Sequence, residues 1–207
     1  MLNRYARAFF TRLMTPPASA LVRAGISPDV VTLVGTCGVA AGALVFYPRG
    51  QLLVGTLVIT AFVFSDTLDG VMARLLGRSS TWGAFLDSTL DRVGDAAIFG
   101  GLVLWYFGGG NHAVTAVLAL TCLVLGALVS YARARAEGLG MTASIGIAER
   151  ADRLVAVLAA TGLVGLGAPG MLLTVVLALL ALASGVTVVQ RILEVRRQAL
   201  RPTSTAG

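Results

Sequence analysis

A chain of 207 residues that is 57% hydrophobic and only 13% charged, with a mean hydropathy of +0.86, carries too much apolar surface for a water-soluble domain and is read as an integral membrane protein. Its sixteen basic residues, all arginine, outnumber ten acids to give a net charge of +6. In a membrane protein that excess reports topology and anionic lipid, and no nucleic-acid motif accompanies it.

Residues 1–24 form the first predicted element. The stretch "LNRYARAFFTRLMTPPASALVR" sets Tyr5, Phe9, Leu13 and Met14 at helical spacing among Arg4, Arg7 and Arg12, the pattern of an amphipathic juxtamembrane helix lying on the cytoplasmic surface. Pro16 and Pro17 are expected to break it. No small-residue cleavage site follows a short apolar stretch, so a cleaved signal peptide is not expected.

Six apolar runs follow, at 29–47, 52–76, 82–107, 113–136, 151–168 and 171–193. Each is near the roughly 20 residues that cross a hydrocarbon core. Turn chemistry separates them: "YPRG" at 47–50, "GRSS" at 77–80, "GGGNH" at 108–112, "EGLGMTASIG" at 137–146 and "GAPG" at 167–170. The predicted fold is therefore all-α, a six-helix membrane domain over residues 25–198 with a C-terminal tail at 199–207. Arginines populate the N-terminal segment, the second and fourth loops and the C-terminus, whereas the first, third and fifth loops together hold only Arg49. The positive-inside rule reads this alternation as a multi-pass protein of the cell membrane with both termini cytoplasmic. Cys37 and Cys122 each sit in an apolar run without partner spacing, which fits ordinary packing.

Half of the ten acids fall in one stretch, Asp66, Asp69, Asp87, Asp91 and Asp95. Asp66 and Asp69 share one face near the end of the second helix, and Asp87, Asp91 and Asp95 share one face near the start of the third. The tight "GRSS" turn makes these helices antiparallel and sets Asp69 and Asp87 at matching depths, about 10–12 Å from the turn at a rise of about 1.5 Å per residue. Carboxylates gathered in a low dielectric require a cation. Oxygen-only ligands favour a hard ion such as Mg²⁺, Mn²⁺ or Ca²⁺, and four acids suit a pair of ions that clamps phosphoryl oxygens. The residues alone leave two other readings open: a cation or proton path, and structural salt bridges to Arg74 and Arg92. Gly70 and Gly83 strip side-chain bulk from the same place, either for a bulky ligand or for close helix packing.

Asp66, Asp69-Gly70, Ala73-Arg74, then eight residues to Gly83, Asp87 and Asp91 reproduce without a gap the D-x2-D-G-x2-A-R-x8-G-x3-D-x3-D signature. On these residues the chain resembles the CDP-alcohol phosphotransferases, and the six-helix layout and the N-terminal surface helix agree. The resemblance implies an enzyme that transfers a phosphatidyl-type group from CDP-diacylglycerol to an alcohol and releases CMP. It also implies that Asp66, Asp69, Asp87 and Asp91 hold two ions, Mg²⁺ or Mn²⁺, that Asp91 is the catalytic base, and that the protein is a homodimer. Asp95 lies outside the signature and is expected to partner an arginine.

Ser27 and Pro28 are good helix-start residues, and Asp29 and Thr32 then share one face of the first apolar helix. Helix initiation accounts for them by itself, but the P-x-x-x-T pattern also resembles the family's cytidine-contacting turn. Asp29, Thr32, Asp69, Gly70, Ala73, Arg74 and Gly83 are thus expected to bind the CDP-lipid. "SYARARAEGLG" and "ERADRL" bring Ser130, Arg133, Arg135, Arg150 and Arg153 to the fourth loop, with Arg191 on the last helix. The positive-inside rule alone would put arginines there; these segments also suit a phosphate pocket, because guanidinium binds phosphate bidentately. They resemble those of prokaryotic family members whose acceptor is inositol 3-phosphate, with two departures, Arg133 for a usual lysine and Ala151 for a frequent proline. Glycerol 3-phosphate is the alternative acceptor. A cation transporter and a catalytically silent membrane scaffold are the alternatives outside enzyme chemistry.

Overall fold

A computed structural model describes residues 14–77 and 80–200, and every regular element among them is helical. The chain divides into two compact units, Met1–Gly101 and Leu102–Gly207.

The first unit contains α1 (residues 14–23), α2 (Pro28–Phe46), a 3-10 turn at Tyr47–Arg49, α3 (Leu52–Val63), α4 (Ser65–Leu75) and α5 (Thr81–Phe107) as far as Gly101. Pro16 and Pro17 fall in the first described turn of α1. The hydrogen bonds they cannot make would run to residues 12 and 13, which, with the rest of the predicted surface helix over 1–13, lie outside the described residues. Buried Ala18 and the partly buried Met14, Leu21 and Val22 turn one face of α1 onto Leu68, Val71 and Met72 of α4 and Val31 of α2. That face is thus spent on the protein's own core.

Glycines bring α2 and α3 together. A Cβ on Gly38 would stand 2.4 Å from the Phe62 ring, and one on Gly42 would stand 3.2 Å from Ile59. Small residues let helices approach closely where hydrophobicity cannot drive them together. Tyr47 is fully buried at the corner, with its hydroxyl 3.0 Å from Thr56 Oγ1, and Gly50 takes the left-handed φ of 74° that reverses the chain. The run predicted as one helix over 52–76 is two, α3 and α4, separated at Phe64. Neither proline nor glycine marks the break in the sequence.

The second unit holds the end of α5, α6 (Ala113–Glu137), α7 (Arg150–Gly165) and α8 (Met171–Ala199). His112 caps α6 by accepting from the Thr115 amide. Thr115 Oγ1 meets Thr174 Oγ1 at 2.7 Å, and the Cys122 thiol donates to the Leu177 carbonyl at 3.2 Å. These are the internal partners that polar groups need where water is absent. α8 continues six residues past its predicted end at 193, and Gln198 there is tied to Thr142. Of the predicted tail, 201–207 lie outside the described residues.

Four stretches are long and apolar enough to cross a membrane: Pro28–Arg49, Leu52–Leu75, Ala113–Glu137 and Met171–Ala199. α5 is long enough, at 27 residues, but carries Asp87, Asp91, Arg92 and Asp95, and α7 has only 16 residues. Large apolar side chains stand exposed along these helices, among them Leu57, Leu104, Leu179 and Leu182, each more than half exposed. In water such a surface would aggregate; against lipid it is the expected one.

Candidate active site

Two capped helix starts, those of α2 and α5, and the helix α4 build a site within the first unit. Ser27 caps α2, accepting from the Val30 amide, with Pro28 at the first helical position. Ser80 caps α5 in the same way, its Oγ accepting from the Gly83 amide at 2.9 Å. Trp82 joins the two starts, its indole N–H donating to Asp29 Oδ2 at 3.1 Å. One turn into α2, Thr32 Oγ1 lies 2.5 Å from Asp69 Oδ2 on α4 and 3.1 Å from the Pro28 carbonyl. A hydroxyl has one proton to give, and the short contact assigns it to the carboxylate.

A cavity of about 660 Å³ opens among these residues. Asp29, Thr32, Asp69, Gly70, Ala73, Gly83 and Asp87 all line it, so seven predicted site residues from three helices border one space. Asp69 is buried and Asp87 exposed, and the charges of Asp87 and Asp91 both act on Asp69. Asp91 itself is paired with Arg92, Oδ2 to Nη2 at 3.4 Å, and does not border the cavity; nor does Arg74. The backbone of Asp66 belongs to α4, but its side chain lies outside the described residues. Asp95 is buried.

A Cβ on Gly70 would meet only Arg74 Nη1, at 3.7 Å, and one on Gly83 would meet Ser80 Oγ at 3.0 Å and Asp29 Oδ1 at 3.9 Å. At Gly70 the described residues leave open space beside the cavity, and at Gly83 the neighbours are the Ser80 cap and Asp29 of α2, which line the same cavity. The donor chemistry is oxygen-only, as a hard cation requires. Among the described residues no three acidic, histidine or cysteine side chains converge closely enough to hold an ion by themselves. Such a site needs oxygens beyond those of Asp69, Asp87 and Asp91.

Trp82 and Ser80 were missed in the sequence. Ser80 could have been found as a cap directly before a helix start, but the Trp82–Asp29 bond spans 53 residues and leaves no local signal.

The acceptor candidates lie in the second unit. Arg153 and Arg191 are almost fully buried there. Arg191 spans the end of α6 and the following loop, donating from Nη1 to the Val129 carbonyl at 2.5 Å and from Nε to the Ile145 carbonyl at 2.9 Å. Arg153 donates to the Ala148 carbonyl at 3.3 Å and packs beside Gly126, where a Cβ would stand 3.2 Å from its Nε. Arg133 is exposed and ion-paired with Glu137 at 2.9 Å, Arg135 is exposed, and Arg150 is half-buried at the start of α7. Ser130 bonds back to the Gly126 carbonyl, one turn earlier on α6. Arg153 and Arg191 are thus set by the backbone around them, whereas Arg133 and Arg135 lie at the surface.

The described residues thus combine membrane-length helices with a cavity lined by carboxylates beside two capped helix starts, an arrangement that suits a cation and a phosphate-bearing ligand. The profile of the CDP-alcohol phosphatidyltransferases matches residues 25–180, and the chain belongs to that family. It is 58% identical over 204 residues to the phosphatidylinositol phosphate synthase of Streptomyces avermitilis, covering 96% of this chain and 84% of that one. It is 49% identical to the protein of the same name from Cutibacterium acnes, covering 95% and 98%. Among solved structures, it is similar to the phosphatidylinositol phosphate synthase of Mycobacterium tuberculosis with CDP-DAG bound, at a TM-score of 0.88 and 40% identity, covering 93% of this chain and 99% of that one. The same mycobacterial enzyme in complex with manganese and citrate matches with a TM-score of 0.87 and 39% identity, covering 92% and 93%. Family membership makes the chain an enzyme and removes the transporter and scaffold alternatives.

Proposed function

We propose that this protein transfers the phosphatidyl group of CDP-diacylglycerol to a hydroxyl of inositol 3-phosphate, releasing CMP and forming phosphatidylinositol phosphate for phospholipid synthesis. The observation that carries this reading is the cavity beside the starts of α2 and α5, with Asp69 and Asp87 facing it next to Gly70 and Gly83. Asp29, Thr32, Asp69, Gly70, Ala73, Arg74 and Gly83 bind the nucleotide end of the lipid. Asp91 takes the proton of the acceptor hydroxyl as its oxygen bonds to the phosphorus that bears diacylglycerol; the bond from that phosphorus to the CMP oxygen breaks, and CMP leaves with the electron pair.

Asp66, Asp69, Asp87 and Asp91 would hold two divalent ions, Mg²⁺ or Mn²⁺, with phosphate oxygens of the substrate completing the ligand set. The manganese complex of the mycobacterial enzyme supports the use of a divalent metal. Such ions, when bound, neutralise the diphosphate and stabilise charge on departing CMP. Ser130, Arg133, Arg135, Arg150, Arg153 and Arg191 take the phosphate of the acceptor; the names of the relatives support inositol phosphate over glycerol 3-phosphate. α5 and α7 join the four membrane-length stretches to make six crossings within residues 25–198. The alternation of arginines argues for cytoplasmic termini and a cytoplasmic site in the cell membrane. A homodimer is the assembly the family resemblance suggests.

The test supplies the purified protein with CDP-diacylglycerol, Mg²⁺ or Mn²⁺, and inositol 3-phosphate, glycerol 3-phosphate and free inositol together, and identifies the lipid product by mass. Phosphatidylinositol phosphate is expected. Phosphatidylglycerophosphate would change the acceptor and keep the reaction, and absence of CMP release would overturn the reading.

A further inference from the structure

The loop between α6 and α7 has no regular structure, yet one face of α8 holds it at three points. Thr187, Arg191 and Gln198 stand four and seven residues apart, the spacing of one helix face. At the far point the Gln198 amide both donates to the Thr142 carbonyl at 2.7 Å and accepts from the Thr142 amide at 3.0 Å. In the middle Arg191 donates to the Ile145 carbonyl at 2.9 Å.

Thr187 makes the third hold. Its hydroxyl accepts from the Ile147 amide at 3.2 Å and the Ala148 amide at 3.3 Å, and donates to the Ala183 carbonyl at 2.8 Å. One donor and two acceptor sites are all a hydroxyl has, and all three are used. Gly146 permits the approach: its φ is +154°, and a Cβ there would stand 2.4 Å from Thr187 Cγ2. Ala148 is gripped at its other end by Arg153, which donates to the Ala148 carbonyl. The next residue, Glu149, caps α7, its side chain accepting from the Asp152 amide while Asp152 accepts from the Glu149 amide.

We propose that Thr187 is a positioning residue for the acceptor site, a latch on α8 that fixes Ala148 and thereby the start of α7 and the guanidinium of Arg153. This rests on the reading that Arg153 binds the phosphate of the acceptor. Thr187 touches no substrate; it acts through Ala148, so its loss lowers affinity for the phosphorylated polyol and leaves the CDP-lipid alone.

The test compares Thr187→Val, which keeps the shape and removes the hydroxyl, with Thr187→Ser, which keeps the hydroxyl. In Thr187→Val the KM for inositol 3-phosphate should rise about tenfold, the scale of one or two lost net hydrogen bonds, with the KM for CDP-diacylglycerol unchanged. Hydrogen exchange at the Ile147 and Ala148 amides should accelerate in the same variant, and Thr187→Ser should restore both readouts. An unchanged acceptor KM in Thr187→Val would overturn the latch. So would equal rises in both KM values, or Thr187→Ser behaving like Thr187→Val, since either would mean general loosening. If the wild type itself fails to use inositol 3-phosphate, the underlying acceptor reading has failed and the latch falls with it, a result distinguishable because it appears without any substitution.

Discussion

Gly70→Ala separates ligand binding from folding at the candidate site. Gly70 lies inside α4, and the only atom a Cβ would meet is Arg74 Nη1, the tip of a flexible side chain, at 3.7 Å. The substitution therefore costs the fold nothing by contact. Alanine in a helix interior is favoured over glycine by about 0.8–1.0 kcal/mol, so the melting temperature in detergent should stay level or rise. The same methyl enters the cavity beside Asp69, and overfilling a fitted space costs roughly 1–3 kcal/mol. At about 1.4 kcal/mol per factor of ten, that is roughly a 5- to 150-fold rise in KM for CDP-diacylglycerol. The assay pairs a CMP-release titration in CDP-diacylglycerol with a melting curve for wild type and variant. Wild-type KM in Gly70→Ala would refute the claim that a ligand fills the space, and a lowered melting temperature would return Gly70 to helix packing.

Gly101→Ala should do the reverse, because its Cβ would stand 2.7 Å from the Ala43 carbonyl oxygen; α2 and α5 must part, costing about 1–3 kcal/mol, so melting falls while both KM values hold. Thr32→Val removes the donor to Asp69, and a hydrogen bond to a charged group is worth about 1.5–3 kcal/mol; kcat/KM should drop roughly 10- to 150-fold, with Thr32→Ser close to wild type. Arg153→Gln should raise the KM for inositol 3-phosphate and spare that for CDP-diacylglycerol. A stranded charged partner costs roughly 2–5 kcal/mol, which corresponds to about 30-fold to several thousand-fold; an unaltered acceptor KM would leave Arg153 only its structural hold on Ala148.

The convergence of Asp69 and Asp87 was legible because it needs only helical periodicity and a tight turn between two helices, both local properties of the chain. The cap Ser27 is local in the same sense; Ser80 carries the same local signal but was not picked out. The break at Phe64 was not legible, since α3 and α4 part in a stretch with no proline or glycine. The burial of Arg153 and Arg191 could not be read from composition, which presents every cytoplasmic arginine alike. The bonds that set them join residues 5 to 62 apart, and the Thr187 and Trp82 contacts bridge 39 to 53. Such pairings exist only after the helices have packed.

The central claim is that Asp66, Asp69, Asp87 and Asp91 together hold divalent metal for transfer of a phosphatidyl group. Its most direct measurement is CMP release from CDP-diacylglycerol and inositol 3-phosphate, titrated with Mn²⁺, for wild type and for Asp66→Asn, Asp69→Asn, Asp87→Asn and Asp91→Asn. The account predicts metal-dependent release in the wild type and none in the four variants, with Asp91→Asn still binding Mn²⁺ better than the other three because its main task is proton abstraction. Near-normal turnover in any one variant, or release from the wild type in the presence of a strong chelator, would contradict it.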